Sequence, residues 1–297
     1  MQATRGLGWV PDVPSTQDYT EVHPKIQPLL ASTRALAPRA ALLGIAPSTE
    51  RPLHSLPSKI DLRSDFSPVE DQGALCSCTA QAAIALLEYF ERKTKGTHVD
   101  HSRLFLYKAE RNLLGWSGDT GAYIRTAMQA LVLFGSPPEH HWPYDGRPAG
   151  ENTRYDLEPP AFCYAYGARY QAVKYFRLDP NAASTGSVLQ NVRSYLAAGF
   201  PSMFGFPVHP EFDHPRAGGL IPIPGPASPQ RGGHAIVAVG YDDSLQIGPD
   251  KGALLVRNSW GTGWGVGGYG WLSYRYVTDG LAVDWWTLIS ASWAPQF

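Results

Sequence analysis

The sequence predicts an α+β fold in which helices dominate the first half and an antiparallel, barrel-like group of strands the second. Three observations carry this expectation. Apolar residues recur at helical spacing after Ser77 and again in two further stretches before Gly135. From residue 172 onward, short strand-like runs are separated by glycine- and proline-rich turns. With 297 residues, 43% of them hydrophobic and 17% charged, the chain can build one large domain or two lobes with a true core.

Residues 1–55 read as a separate N-terminal extension. Pro11, Pro14, Pro24, Pro28, Pro38, Pro47 and Pro52 interrupt it too often for long helices. A short helix fits residues 29–36. The main domain, residues 56–297, opens with an extended lead-in at 59–66. A helix follows from Cys78 to about Lys93: Ala80, Ala83, Ile84, Leu87 and Phe90 share a face, and Gly96 ends it. Asp100-His101-Ser102 precedes a second helix at 103–112. A third spans 122–134, with Ile124, Met128, Leu131 and Val132 inward and Gly135 as its stop. Beyond it come a short helix at 160–166, a strand at 172–178 and a helix at 187–198 with Val188, Val192 and Leu196 spaced at four. Strands are expected at 201–206, 234–241, 253–259, 269–276 and 285–293.

Composition excludes several function classes. A net charge of −1 gives no electrostatic case for nucleic acid or for a membrane surface. No apolar run is long enough to span a bilayer, and residues 1–10 lack the charged-then-apolar pattern of a signal peptide. Three cysteines cannot make a multi-disulfide framework, which favours a reducing compartment. The expected location is cytoplasmic, with export by a signal-independent route left open, as is a Cys76–Cys163 bridge. His140 and His141, as strand neighbours, would point opposite ways, and no Cys/His cluster has zinc spacing, so no metal or cofactor is expected. Residues 263–268 match G-x-G-x-x-G, but strand-like aromatic residues follow, so the glycines read as a β turn and not as a nucleotide loop.

The chemistry concentrates in Gln72-Gly73-Ala74-Leu75-Cys76-Ser77-Cys78-Thr79-Ala80. With Ser77 as N-cap, Cys78 stands in the first helical turn, where free N–H groups and the macrodipole favour a thiolate. Gln72 can turn its amide toward a developing oxyanion, with the Cys78 N–H as a second donor. His234, in Gly232-Gly233-His234-Ala235, begins a strand 156 positions later, and Asn258, in Arg257-Asn258-Ser259-Trp260-Gly261, follows after another 24. Taken singly, each has a bland reading: a buried core cysteine, a strand histidine satisfied by a carbonyl, an asparagine capping a turn. The ordered set of Gln, Cys, His and Asn favours nucleophilic catalysis.

At these residues the chain resembles the papain-family (C1) cysteine peptidases, most closely the bacterial branch. The likeness runs from about Leu56-Pro57 to the C-terminus and includes Asp61, Arg63, Pro68-Val69, Gln72-Gly73, Trp142-Pro143-Tyr144 and the NSWGTGWG run. It implies a papain-like two-lobed fold, a helical lobe with the cysteine and a barrel-like β lobe with the histidine, and a cleft between them. It implies Cys78 as nucleophile, His234 as acid and base, Asn258 as orienter and Gln72 as oxyanion donor. Trp260 would shield the His–Asn pair from water, and a substrate pocket would be formed by Gly121, Ala122, Ile124, Gly205 and Ala235, favouring an apolar side chain. The expected partner is a protein or peptide substrate, acted on by a monomer without cofactor. The long loop 207–233 would rim the cleft. Residues 1–55 stand where the family carries a propeptide, but lack its long charged helices, so a shielding arm and an extension packed on the back of the domain are both open.

Four departures stand out. Cys76 replaces the family's glycine, Leu75 its first disulfide cysteine, Thr79 the tryptophan after the nucleophile, and Gly233 the aspartate or asparagine that often precedes the histidine. They keep two further readings in view: a catalytically weak or inactive papain-scaffold binding protein, and an amidase or transferase using the same residues.

Overall fold

The architecture is organised around helix α2, Cys78–Lys95, which lies between the other helices and the sheet. The computed structural model describes residues 5–32, 56–146, 154–170 and 174–289. Ahead of α2 come a short helix α1, Gln27–Ser32, and a short strand β1, Lys59–Asp61. The first fourteen residues of α2 are buried, so its alanines serve close packing on every side. Gly96, in the left-handed region at φ 74°, closes the helix with its N–H on the Arg92 carbonyl. Helix α3, Arg103–Leu114, starts where the Ser102 hydroxyl accepts the Phe105 N–H. Helix α4, Ile124–Phe134, packs against α3 and ends at Gly135 as the sequence predicts. These three helices form the first lobe, with α5, Ala161–Gly167, beside α4.

The second lobe is a sheet. In chain order its elements are β2, Lys174–Arg177; α6, Thr185–Ala197; β3, Ser202–Val208; α7, Pro210–Asp213; and β4, Leu220–Ile221. The chain continues through β5, Gly232–Ile247; β6, Asp250–Arg257; β7, Tyr269–Ser273; α8, Arg275–Thr278; and β8, Val283–Ile289. The strand order is β2-β8-β3-β5-β6-β7-β4, with β1 paired to β5. The barrel expected from the run of short strands does not close. β2 and β4 are free ends of the order, and β4 is parallel to β7. The lobe is therefore an open, mostly antiparallel sheet, within the two-lobed α+β fold that the sequence predicts.

Several boundaries differ from expectation. The helix placed at 29–36 begins at Gln27, and its predicted end lies outside the described residues. The strand placed at 269–276 stops at Ser273, because Tyr274 turns into the α region and sends Tyr276 and Val277 into the core. His140 and His141 belong to a 3₁₀ turn, not a strand, and their rings lie 4.0 Å apart. The pairing left open for the cysteines is settled: Cys76, Cys78 and Cys163 are all free thiols.

The long β5 joins the lobes. It pairs with β3, β6 and β1 while its buried face meets α2. Arg257, at the end of β6, donates to the carbonyls of Ser67 and Pro68, both at 2.6 Å. That bond fixes the lead-in to α2 against the sheet.

The N-terminal segment crosses both lobes. Residues 6–10 add themselves to main-chain edges on either side of the α2 N-terminus, whereas residues 18–30 lie against β2 and α6. There the Tyr19 carbonyl accepts from Arg177 N–H at 2.7 Å, and Glu21 accepts from the Tyr195 hydroxyl at 2.8 Å. Trp9, Ile26 and Leu30 are buried with the core.

Candidate active site

Four elements converge at the first turn of α2. Helix α2 supplies Cys78, β5 supplies His234 and Ala235, the residue after β6 is Asn258, and the loop before α2 carries Gln72. Ser77 is the N-cap by position, but its side chain caps nothing; its hydroxyl pairs with that of Tyr144 at 2.6 Å. The Tyr144 hydroxyl also donates to the Gln72 carbonyl at 2.9 Å, which ties the Trp142-Pro143-Tyr144 motif to the loop before α2.

The Cys78 sulfur is fully buried and accepts the Ala235 N–H at 3.4 Å. His234 is also fully buried. Its Nε2 lies 2.8 Å from Asn258 Oδ1, and the same Oδ1 accepts the Ser259 N–H at 2.8 Å. The second bond identifies that atom as the amide oxygen, so Nε2 carries the proton and donates. Nδ1 is left as the basic atom of the ring and has no hydrogen-bond partner among the described residues. Trp260 covers the ring at 4.8 Å between centroids with 30° between planes, and Phe212 meets it edge-on from the 207–233 loop.

Gln72 is held firmly. Its Oε1 accepts from the Ser259 hydroxyl at 2.6 Å, and its Nε2 donates to the Leu75 carbonyl at 2.8 Å and to Gly6 at 3.1 Å. The orienting Asn258 and the donor Gln72 are thus coupled through the residue between Asn258 and Trp260, which sequence reasoning passed over.

The cleft is occupied by the chain's own N-terminus. The Gly6 N–H donates to the Gly73 carbonyl at 3.1 Å, and the Trp9 N–H to the Gly233 carbonyl at 3.1 Å. Ala122 donates to the Gly8 carbonyl at 2.9 Å and accepts from Val10 at 3.0 Å, a parallel pairing. Gly121, with φ 72°, lets the backbones approach: a Cβ there would sit 2.0 Å from the Gly8 carbonyl oxygen. The Gly8 N–H also faces the Cys78 sulfur.

Of the pocket residues predicted, Ala122 and Gly121 form the edge that the arm pairs with. Gly205 forms a face on which the Trp9 indole lies, since a Cβ at Gly205 would fall 1.9 Å from that ring. Ala235 contributes its backbone to the sulfur, and Trp260 lines an open cavity of about 740 Å³ with Trp264, Asp213, His214 and Arg231. Ile124 opens α4 and is buried in the core. The predicted rim loop 207–233 supplies part of that cavity wall.

Two participants were missed. Trp9 lay in a proline-rich segment with no pattern to mark it. Asp284, whose Oδ2 accepts the Trp9 indole N–H at 3.1 Å, lay one residue ahead of the strand expected at 285–293. Asp284 has a positive φ of 61° that its residue type does not advertise.

Electrostatics in this arm-covered state differ from the thiolate–imidazolium pair that a helix N-terminus suggests. Burial pushes the Cys78 thiol up to about 12, against the opposing N–H groups of Ala235 and Gly8. Burial likewise pulls His234 down to about 4, against the bond to Asn258. The pair is neutral under the arm.

Comparison with known proteins gives a consistent result. The family model described as Papain family cysteine protease matches residues 56–282. An uncharacterised peptidase C1-like protein of Acanthamoeba polyphaga mimivirus is 35% identical over 225 residues, covering 73% of this chain and 68% of that protein. Papain from Carica papaya is 27% identical over 217 residues, covering 72% of this chain and 54% of papain's. Among solved structures, xylellain, a cysteine protease from Xylella fastidiosa, superposes with a TM-score of 0.74 at 29% identity, covering 97% of each chain.

Proposed function

The chain belongs to the papain family of cysteine proteases, and we propose that it hydrolyses peptide bonds through a thioacyl intermediate on Cys78. The observation that carries this reading is the fixed tautomer of His234. With Nε2–H committed to Asn258 Oδ1 at 2.8 Å, the ring offers Nδ1 as a base, and the N–H of the next residue, Ala235, reaches the Cys78 sulfur at 3.4 Å.

In an open cleft Cys78 passes its proton to His234, and the α2 N-terminus favours the resulting thiolate. The sulfur attacks the substrate carbonyl. Gln72 Nε2 and the Cys78 N–H receive the oxyanion, each contributing about 3 kcal/mol. His234 returns the proton to the leaving amine, then draws one from the water that releases the acid product. Asn258 holds the ring throughout, and Trp260 keeps water from that bond. The substrate is a protein or peptide that replaces the arm along Gly121–Ala122 and Gly233.

In this reading residues 56–297 are the catalytic domain and residues 1–55 an extension whose first part shields the nucleophile. The test is alkylation by a papain-type epoxysuccinyl inhibitor, followed by mass spectrometry. The full chain, a chain beginning at Leu56 and the Cys78→Ala variant are compared. A single label on Cys78, acquired faster without the extension, is the expected result. A label on Cys76, or turnover retained by Cys78→Ala, overturns the mechanism. A chain that takes no label in either form is a binding protein on this scaffold.

A further inference from the structure

The pocket next to the nucleophile has an apolar wall and a polar floor, and its present occupant uses both. The Trp9 indole lies flat on the bare backbone of Gly205 and over Gly233, whose own Cβ would meet the ring at 2.9 Å. Its N–H reaches the floor at Asp284 Oδ2, 3.1 Å away. Asp284 is fully buried and committed to accepting: Oδ1 takes the Trp286 indole N–H at 2.7 Å and pairs with Arg177 Nη1 at 3.2 Å. Nothing about this floor suits a purely apolar side chain, because Oδ2 loses its indole donor when the arm leaves. A buried acceptor without its donor costs free energy that a substrate carrying the donor recovers.

Charge narrows the class further. The guanidinium of Arg177 lies 4.9 Å from the Trp286 ring centroid and that of Arg125 5.8 Å from it, so two cations already stand at this floor. Arg125 pairs with Asp12 and with Asp18, and Asp18, in the part of the extension packed against β2, also pairs with Arg177. Arg177 pairs with both Asp179 and Asp284, so the carboxylates of the floor already have their cation, and a further one gains little there.

Resting on the peptidase reading above, the geometry points to Asp284 as a specificity-determining residue that selects a neutral aromatic side chain bearing an N–H donor, an indole, in the pocket now filled by Trp9. The preference for an apolar side chain expected from Gly121, Ala122, Ile124, Gly205 and Ala235 describes the walls alone.

The test uses the full chain carrying Gly8→Val and Trp9→Ala, the first to displace the arm and the second to keep its side chain out of the pocket. Peptide substrates differ only at the residue that enters it: tryptophan, 3-benzothienylalanine, which keeps the ring shape but replaces N–H by sulfur, or arginine. The expected ratio of kcat/KM for tryptophan over benzothienylalanine is roughly ten- to a hundredfold, with arginine below tryptophan. Adding Asp284→Asn, which retains shape and tolerates positive φ, brings the ratio within about threefold of unity. If that variant does not fold, the isostere comparison with Asp284 in place decides alone. Equal rates for the two rings, or preference for arginine, overturn the assignment. The same ratio is read as affinity in the chain also carrying Cys78→Ala. A lack of turnover therefore counts against the peptidase reading, while binding still decides the pocket.

Discussion

The carbonyl of Gly6 lies 3.1 Å from Gln72 Nε2, so the chain's own backbone holds the donor assigned to the oxyanion. Gly8 makes that seat possible, because a Cβ there would meet the Cys76 carbonyl oxygen at 1.7 Å. Gly8→Val should therefore expel the arm without altering any catalytic group. Overpacking of this kind costs roughly 1–3 kcal/mol, which corresponds to about a ten- to hundredfold rise in Cys78 alkylation rate. Rates equal to those of the unmodified chain would show that the arm does not limit access.

Asn258 fixes His234 through a single amide oxygen that also accepts the Ser259 N–H. Asn258→Ala releases the ring and removes the preference for the Nε2–H tautomer. The expected loss in kcat/KM on a peptide substrate is on the order of a hundredfold, chiefly in kcat, with the Cys78 label retained at a lower rate. An unchanged kcat would remove Asn258 from the mechanism.

The parts of this site that were legible in the sequence are those written locally. Cys78 is announced by the helix that follows it, Gln72 by its place in the loop before, and His234 and Asn258 by the strands they border. What was not legible depends on distant pairing. Trp9 and Asp284 are 275 positions apart, and neither carries a pattern that names the other. The open sheet follows from which strands lie at its edges, and short alternating segments do not state that. The neutral state of Cys78 and His234 follows from burial beneath the arm, whereas the helix N-terminus alone argues for a thiolate.

That burial gives arm seating a pH dependence of definite sign. Under the arm His234 is held down to about 4, from an ordinary 6.5. In a Cys78→Ala chain, where no thiolate shares the proton, an open cleft lets the ring take up a proton as pH falls below its ordinary value, and seating the arm must then expel that proton. Closure is therefore fully favoured above about pH 6.5 and weakens as pH falls toward 4, by up to about 1.4 kcal/mol per unit. Limited proteolysis of residues 5–32 should accelerate across this interval. Acceleration only above pH 6.5 would contradict the assignment of His234 as the group that titrates.

Thr79 stands where the family carries tryptophan, and its hydroxyl donates to Glu110 Oε1 at 2.8 Å. Glu110 is fully buried, and burial holds its carboxyl well above the usual range, with Thr79 and Arg111 opposing. That shift favours the neutral carboxylic acid, which serves here as a hydrogen-bonding group. Glu110→Gln should then cost less than about 1 kcal/mol at pH 7, since it exchanges one neutral polar group for another of the same shape. Thr79→Val, by contrast, keeps the volume but takes the donor from a buried oxygen, and should cost about 1–3 kcal/mol. Urea denaturation of both variants, in a Cys78→Ala background to prevent self-digestion, reads the difference directly. A large loss in Glu110→Gln with little in Thr79→Val would mean that Glu110 is ionised, and that Arg111, not Thr79, is the partner that keeps it in the core.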